Sequence, residues 1–275
     1  MSKEKNVVLL AYGDPYIATT HIELRVRAIE NKIKTHSIHA SSSLTSMIGE
    51  CGLHFYKIGR IATIMSEMKS LTTPYYVIYK NLIEGNHTVL LLEYNQDKKF
   101  FLDPKDALKG LLETEQGQAR KVITESNYVI IASRIGFKDQ AIVSGKISSL
   151  KETDFGQPPH TIIIPGRLHF TESDALKLFG KCVDEPFDNS EKTEKISKQM
   201  IKKYVPMVRE ALEEIEPLYK NQKEFEVILD NAERYIKDAE IFLGEGRDEN
   251  AILSIGYADG LVDALRLAKG LEFKM

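Results

Sequence analysis

The 275-residue sequence has almost no cysteine, no tryptophan and no long apolar run. Its two cysteines, Cys51 and Cys182, are too few for a disulfide framework and form no CxxC pair of the kind that binds zinc. No apolar stretch approaches the roughly 18 residues that a membrane span needs, and the charged start of the chain lacks the apolar core of a signal peptide. We therefore expect a cytoplasmic protein that does not bind membranes.

An excess of one charge is also lacking, because 37 Lys and Arg residues stand against 40 Asp and Glu residues, a net charge of −3. This balance argues against a broad, non-specific grip on nucleic acid, so no direct nucleic-acid partner is expected. The seven histidines form no HxxxH or HxH pair, which argues against a metal site. GxSxG, P-loop and GxGxxG motifs are missing too, and the catalytic residues stay unassigned.

The composition changes near residue 185, which predicts a first domain over 1–185 and a second over 190–275. In the first domain, short β-branched runs alternate with helical spacing, a pattern typical of an α/β fold with a mixed sheet. Strands are expected at 7–11, 62–65, 88–92, 128–132 and 161–164, and helices at 19–31, 75–83 and 104–112. The polar segment 184–190 is interpreted as a linker.

The second domain is expected to be a small all-α helical bundle, because its apolar residues repeat at three- and four-residue spacing. The stripes that predict helices run over 201–215, 225–243 and 248–269. Pro217 is expected to close the first helix, and Gly244-Glu245-Gly246 suits the end of the second. Asp248 is expected to cap the third helix.

Asp14 follows the first apolar run, in the turn Gly13-Asp14-Pro15. Ligands of open α/β sheets bind outside the carboxyl ends of strands, so this carboxylate is placed to bind a ribose hydroxyl or an ammonium group. The alternative is a tight turn in which Asp14 caps the following helix. Residue patterns leave both interpretations open.

Two later loops offer further polar groups. Serines at 41–43 precede a helical stretch, where hydroxyls and free amides receive anions, although an ordinary N-cap would use the same residues. Pro158-Pro159-His160 leads into the strand expected at 161–164. A lone histidine such as His160 is more often structural than catalytic.

Four segments together carry a resemblance to a known family: 13–21 (GDPYIATTH), 51–59 (CGLHFYKIG), 85–88 (GNHT) and 154–169. In this order, they resemble the diphthine synthases, in the tetrapyrrole-methylase-like class of S-adenosylmethionine methyltransferases. The resemblance implies a two-lobed α/β fold of mixed sheets, with the cofactor S-adenosyl-L-methionine between the lobes. It also implies a homodimer that methylates a modified histidine of translation elongation factor 2 in diphthamide biosynthesis.

The same resemblance implies seven cofactor-binding residues and no metal ligand. Carried over motif by motif, they are Asp14 and Ile17 from the first segment, Ser43 and Leu44 ahead of the second, Leu92 at the end of the strand after the third, Ile135 in Ser133-Arg134-Ile135-Gly136, and His160 of the PPH motif. Main-chain groups are expected to supply most of the contacts at the apolar positions.

The chain also departs from the family pattern. The family has a strand, a glycine-rich turn, and a further helix and strand before its GDP motif, whereas only 12 residues precede Gly13 here, so the first lobe is expected to be incomplete. The stretch 92–95 differs from the family's Leu-Asp-Ile-Lys pattern, and the comparison with the family motif places one inserted residue among 41–43. The tail after residue 190 resembles a small archaeal helical domain of uncharacterised function.

Two classes of function follow from these observations. The first is an active methyltransferase, which the retained GDP and PPH motifs favour. The second is a non-catalytic, truncated paralogue that acts as a binding or adaptor module, which the incomplete first lobe favours because half a cleft binds a cofactor poorly.

Overall fold

The computed structural model describes residues 4–67, 71–95, 97–220 and 222–271. Packing of the backbone divides the chain into two units, 1–193 and 194–275. The helices of the first unit are α1 (Ile22–Glu30), α2 (Ser43–Glu50), α3 (Thr72–Glu84), α4 (Pro104–Gln118) and α5 (Phe170–Phe179), and those of the second are α6 (Ile196–Tyr219), α7 (Glu226–Gly244) and α8 (Asp248–Ala268).

The first unit is built on a six-stranded mixed sheet in the order β1-β2-β7-β5-β6-β8. Its strands are β1 (Ala62–Ile64), β2 (Thr88–Leu92), β5 (Tyr128–Ser133), β6 (Ala141–Lys146), β7 (His160–Ile164) and β8 (Lys181–Cys182), while β3 (Tyr94–Asn95) and β4 (Phe100–Phe101) form a separate pair. The two outer pairs, β1 with β2 and β6 with β8, are parallel, and the inner pairs are antiparallel. The predicted α/β fold with a mixed sheet is confirmed.

Each face of the sheet carries its own apolar core, because successive side chains of a strand point to opposite sides. Along β5, Tyr128 and Ile130 pack with α2 and α5, whereas Val129 and Ile131 pack with α3 and α4. We call these two sides the α2 face and the α3 face. Burial on both sides explains why β2, β5 and β7 have near-continuous apolar sequences.

The strand expected at 7–11 is wrong. This segment has no strand assignment, and Val8 and Leu10 are 78% and 89% exposed. An apolar run forms a buried strand only where neighbouring strands bond to it, and none of the strands in the described residues does so. Helix α1, which confirms the helix expected over 19–31, buries none of its residues.

The segment 184–190 is not a free linker. Asn189 is buried, and its side-chain amide accepts a hydrogen bond from Tyr128 N (2.9 Å) and donates to Tyr128 O (2.9 Å) and Pro165 O (2.7 Å). Asp184 accepts a bond from Lys146 N at 2.8 Å. Polar composition predicts a solvated connection, but these polar groups complete the hydrogen bonding of buried backbone.

The second unit consists of α6, α7 and α8 around a single apolar core, as the three stripes predicted. Pro217 does not close α6, which continues to Tyr219 with Pro206 and Pro217 inside it. Proline removes one helical hydrogen bond, but the apolar stripe continues beyond it to Tyr219, so packing holds the last turn. Gly246, at φ +74°, separates α7 from α8 as expected.

Asp248 does not cap α8 as expected, because it is the helix's first residue. Its buried carboxylate contacts Lys195 Nζ at 3.1 Å and Ser197 Oγ at 3.3 Å instead. The aspartate therefore fastens the start of α8 to the start of α6.

The Tyr219 hydroxyl donates a 2.6 Å hydrogen bond to Leu265 O inside this core. We expect Tyr219→Phe to lower the free energy of unfolding of the helical unit by about 1–2 kcal/mol, because the Leu265 carbonyl loses a buried donor. Urea unfolding followed by helical circular dichroism measures the change. Tyr257→Phe is the matched control, since Tyr257 is 56% exposed, and equal losses in the two variants would contradict the assignment.

Candidate functional site

Three neighbouring strands bring candidate residues to one edge of the sheet. Strand β2 ends at Leu92, β7 begins at His160 and β5 ends at Ser133. The register pairs Ser133 with His160 and Leu91 with Thr161, so the next position on β2 opposite His160 is Leu92. Leu92 packs against the core of the α3 face, and residues opposite one another in a sheet share a face. The three side chains thus form a row on the α3 face.

His160 is half-buried and uses only one of its ring nitrogens. Nε2 lies 3.2 Å from Gly156 O, and Nδ1 is buried without a hydrogen-bond partner. The hydroxyl of Ser133, a residue only 1% exposed, is likewise buried and unpaired. Buried polar atoms usually have partners, so this edge has unused hydrogen-bonding capacity.

Ile135 lies beyond the end of β5, in a loop tied to the one before His160. Arg134 N donates to Pro159 O at 3.0 Å, and Arg134 Nη1 donates to Pro158 O at 3.2 Å. Ile135 itself packs on the α2 face, in the same core cluster as Leu44. The two loops are therefore held together at the edge that carries the row.

Asp14 is buried and holds its own turn. Its carboxylate accepts a bond from Tyr16 N at 2.9 Å and lies 2.8 Å from His39 Nδ1. The hydrogen bonds from Tyr16 N and His39 lower the pKa of Asp14, so the carboxylate is ionised near neutral pH. The alternative in which Asp14 caps the next helix is wrong, because α1 begins only at Ile22 and has no side-chain cap.

The turn at Asp14 lies against the N-terminus of α2. Gly13, at φ +75°, leaves so little room that a Cβ there would stand 3.2 Å from Ser41 O. Ser42 is the N-cap of α2 and accepts a bond from Leu44 N at 3.3 Å, the ordinary capping role foreseen as the alternative for these serines. Ser43, the first residue of α2, is exposed, and Leu44 is buried.

The structure thus places the seven expected cofactor residues in two groups. The first group surrounds the start of α2 and consists of Asp14, Ile17, Ser43 and Leu44. The side chain of Ile17 is 41% exposed. The other group lies at the sheet edge and consists of Leu92, Ile135 and His160. Leu44 and Ile135 belong to one core cluster on the α2 face, whereas the side chains of Leu92 and His160 lie on the α3 face. That all seven line one cleft stays a prediction.

Sequence patterns did not single out Glu172, a fully buried carboxylate in α5. Its two oxygens accept bonds from His54 N (2.8 Å), His87 Nε2 (3.0 Å), Lys57 Nζ (2.5 Å) and His169 N (2.7 Å). The one available signal was its position three residues after His169, the spacing of a capping box. Glu172 joins three of the four segments that carry the family resemblance.

The charge on Glu172 is balanced mainly by Lys57. His87 Nδ1 accepts a 2.9 Å bond from Gly166 N, so Nε2 carries the proton and the ring is neutral. Burial alone would raise the pKa of Glu172, but the bonds from His87, His169 N and Lys57 outweigh it and hold the pKa well below 4.5. The carboxylate therefore stabilises the fold above pH 4.5, and the stability is lost as pH falls below that value.

We expect Glu172→Gln to lower the free energy of unfolding by about 3 kcal/mol near neutral pH, because an amide cannot accept all four donors or balance Lys57. Below pH 4.5, the difference in free energy of unfolding between wild type and variant should become smaller, since Glu172 of the wild type gains a proton in the unfolded state. Urea unfolding across this pH range measures both effects.

The matched control is Glu125→Gln, which removes an exposed ion pair to Lys151 and should cost less than about 1 kcal/mol. A gap between wild type and Glu172→Gln that stays constant from neutral to acid pH would contradict the buried-charge account.

Within the described ranges, no group of three or more His, Cys, Asp or Glu side chains is arranged to hold a metal ion. Over the same residues, no helix combines the length and the apolar character that crossing a membrane requires.

Two protein families match the chain. Residues 1–151 match the tetrapyrrole (corrin/porphyrin) methylases, and residues 203–271 match a family of proteins of unknown function, DUF357. The chain therefore belongs to the tetrapyrrole methylases, and its class is that of the methyltransferases. The helical tail expected as a fused small domain corresponds to the second match.

Within this class, the chain is similar to diphthine synthases. The enzyme of Methanocaldococcus jannaschii is 39% identical over 180 residues, which cover 64% of this chain and 70% of that protein. The enzyme of Methanococcus vannielii is 40% identical over 178 residues, covering 64% and 69%. A crystal structure of diphthine synthase aligns with a TM-score of 0.59 at 30% identity, over 66% of this chain and 68% of that one. The chain belongs to this family, as its motifs indicated.

Proposed function

We propose that this chain is an S-adenosylmethionine-dependent methyltransferase of diphthamide biosynthesis that methylates a modified histidine of translation elongation factor 2. The observation that supports the proposal most is the 39% identity to a diphthine synthase over 64% of the chain. The proposal keeps the expectations of a homodimer and a cytoplasmic location, which come from the family resemblance and the sequence.

The residues at the two groups fit the chemistry of S-adenosylmethionine. The cofactor presents ribose hydroxyls, an ammonium group and an adenine ring. An ionised Asp14 suits a hydroxyl or ammonium donor, and the apolar Leu92 beside His160 suits the face of a flat base. The unpaired Nδ1 of His160 offers a buried acceptor at the same edge.

Bound S-adenosylmethionine supplies a methyl group on a sulfonium centre, and the protein contributes by alignment and exclusion of water. Asp14 would hold its ligand in a fixed direction, because Tyr16 N and His39 already orient the carboxylate. The bonds from Arg134 to Pro158 O and Pro159 O would hold the loop that carries His160. These residues bind and orient, and none of them needs to form a covalent bond.

One observation favours the second candidate, a non-catalytic adaptor. Helix α1 buries none of its residues, and Val8 and Leu10 before it are largely exposed, as on a surface that contacts a protein. An adaptor has no need to bind the cofactor. Calorimetric titration of S-adenosylmethionine into the protein therefore separates the two candidates, and failure to bind would overturn the methyltransferase proposal.

We expect Asp14→Ala to weaken the binding of S-adenosylmethionine by about tenfold or more, because a charge-assisted hydrogen bond to the ligand is lost. Calorimetry on the purified protein measures the dissociation constant.

Asp103→Ala is the control, since Asp103 accepts a bond from Lys105 N at 2.7 Å just as Asp14 accepts one from Tyr16 N. Asp103 caps α4 on the α3 face and belongs to neither group of candidate residues. Unchanged affinity in Asp14→Ala, or an equal loss in both variants, would show that Asp14 only holds its turn.

A further inference from the structure

We propose that Ser133 Oγ and His160 Nδ1 act as one paired contact for the adenine edge of the cofactor, with Nδ1 accepting from the amino group and Ser133 donating to the neighbouring ring nitrogen. This inference rests on the proposed function. Ser133 is not one of the seven cofactor-binding residues that the family motifs imply. We assign it this role because it lies opposite His160 in the sheet.

The protonation of His160 follows from its bond to Gly156. A carbonyl oxygen only accepts, so the 3.2 Å contact between Nε2 and Gly156 O requires the proton on Nε2. Nδ1 of the neutral ring is then an acceptor with a free lone pair. A ligand atom that meets Nδ1 must therefore be a donor.

The register brings the Ser133 hydroxyl beside that lone pair. Arg134 N donates to Pro159 O, so the next pair, Ser133 and His160, is of the non-hydrogen-bonded type, in which side chains approach most closely. Opposite Cβ atoms in such pairs lie about 4.5–5.5 Å apart, so the edge of one purine ring can contact both side chains. One residue offers a donor and the other an acceptor, side by side on one face.

Both atoms are buried without partners, which is uncommon in folded proteins. Across the described residues, four buried side-chain atoms are in this state, and the other two belong to Ser190 and Asp248. Ser133 and His160 are the two that face each other across a strand pair. Both residues stand at the ends of their strands, and a hydrogen bond made to atoms shielded from water is a strong one.

The rest of the row favours a purine over a carboxylate or a phosphate. Leu92 lies next to His160 on the same face, and no lysine or arginine is part of the row. An acceptor nitrogen beside an apolar side chain disfavours an anion and suits the amino edge of a flat base.

The test is calorimetric titration of S-adenosylhomocysteine, which has the same adenine but no transferable methyl group. Ser133→Ala should raise the dissociation constant about 2- to 13-fold, the range for one neutral hydrogen bond. The matched control is Ser144→Ala on the neighbouring strand β6, where the buried hydroxyl accepts a 2.9 Å bond from Tyr128 OH. It should reduce stability without changing affinity.

A second measurement needs no variant of Ser133. S-inosylhomocysteine carries an oxygen in place of the amino group, so it sets an acceptor against Nδ1, and the wild type should bind it more weakly than S-adenosylhomocysteine. His160→Gln, whose amide lies near the position of Nε2, should lose this preference more than His160→Asn, whose amide oxygen lies near that of Nδ1.

The outcomes separate the two proposals. Wild type that binds neither compound overturns the proposed function and this inference together. Wild type that binds both compounds equally, or Ser133→Ala that binds S-adenosylhomocysteine as well as Ser144→Ala does, overturns the inference alone. A loss in Ser133→Ala together with a wild-type preference for the adenine compound supports it.

Discussion

The carboxylate of Glu172 brings together three loops that lie far apart in the chain. His54 and Lys57 come from the turn after α2, His87 immediately precedes β2, and His169 immediately precedes α5. A buried carboxylate without these partners would be costly, so the loops are fixed relative to one another as long as the charge persists. This one charge therefore ties the turn after α2 and the residue before β2 to the start of α5.

The family motifs have two different roles in this arrangement. The CGLHFYKIG and GNHT segments supply hydrogen-bond donors to Glu172 and therefore have a structural role. The GDP turn and the PPH segment keep polar groups at the start of α2 and at the open edge of the sheet. Asp14 and His160, from those two segments, are the polar residues proposed to contact the cofactor.

Much of the first unit could be predicted from sequence, because β2, β5 and β7 are apolar on both faces and β-branched. The wrong prediction of a strand at 7–11 has the same origin. An apolar run indicates a preference for a strand, but it does not show that a neighbouring strand is present to pair with it. Asn189 falls within the predicted linker because a buried side-chain amide and a solvated one look alike in sequence. Asp14 and His160 were found through motifs, whereas Ser133 required the register of β5 against β7, and Glu172 required contacts across more than 80 residues of chain.

The strand order has a consequence for how the sheet assembles. Strand β7 lies between β2 and β5, although it is made after both of them. Until residues 160–164 have been synthesised, β2 and β5 each present an unpaired edge to solvent, and no native hydrogen bond joins them. Such non-local pairing slows folding and leaves open edges available to other chains. On the ribosome, the first half of this protein is therefore in most need of protection just before β7 emerges.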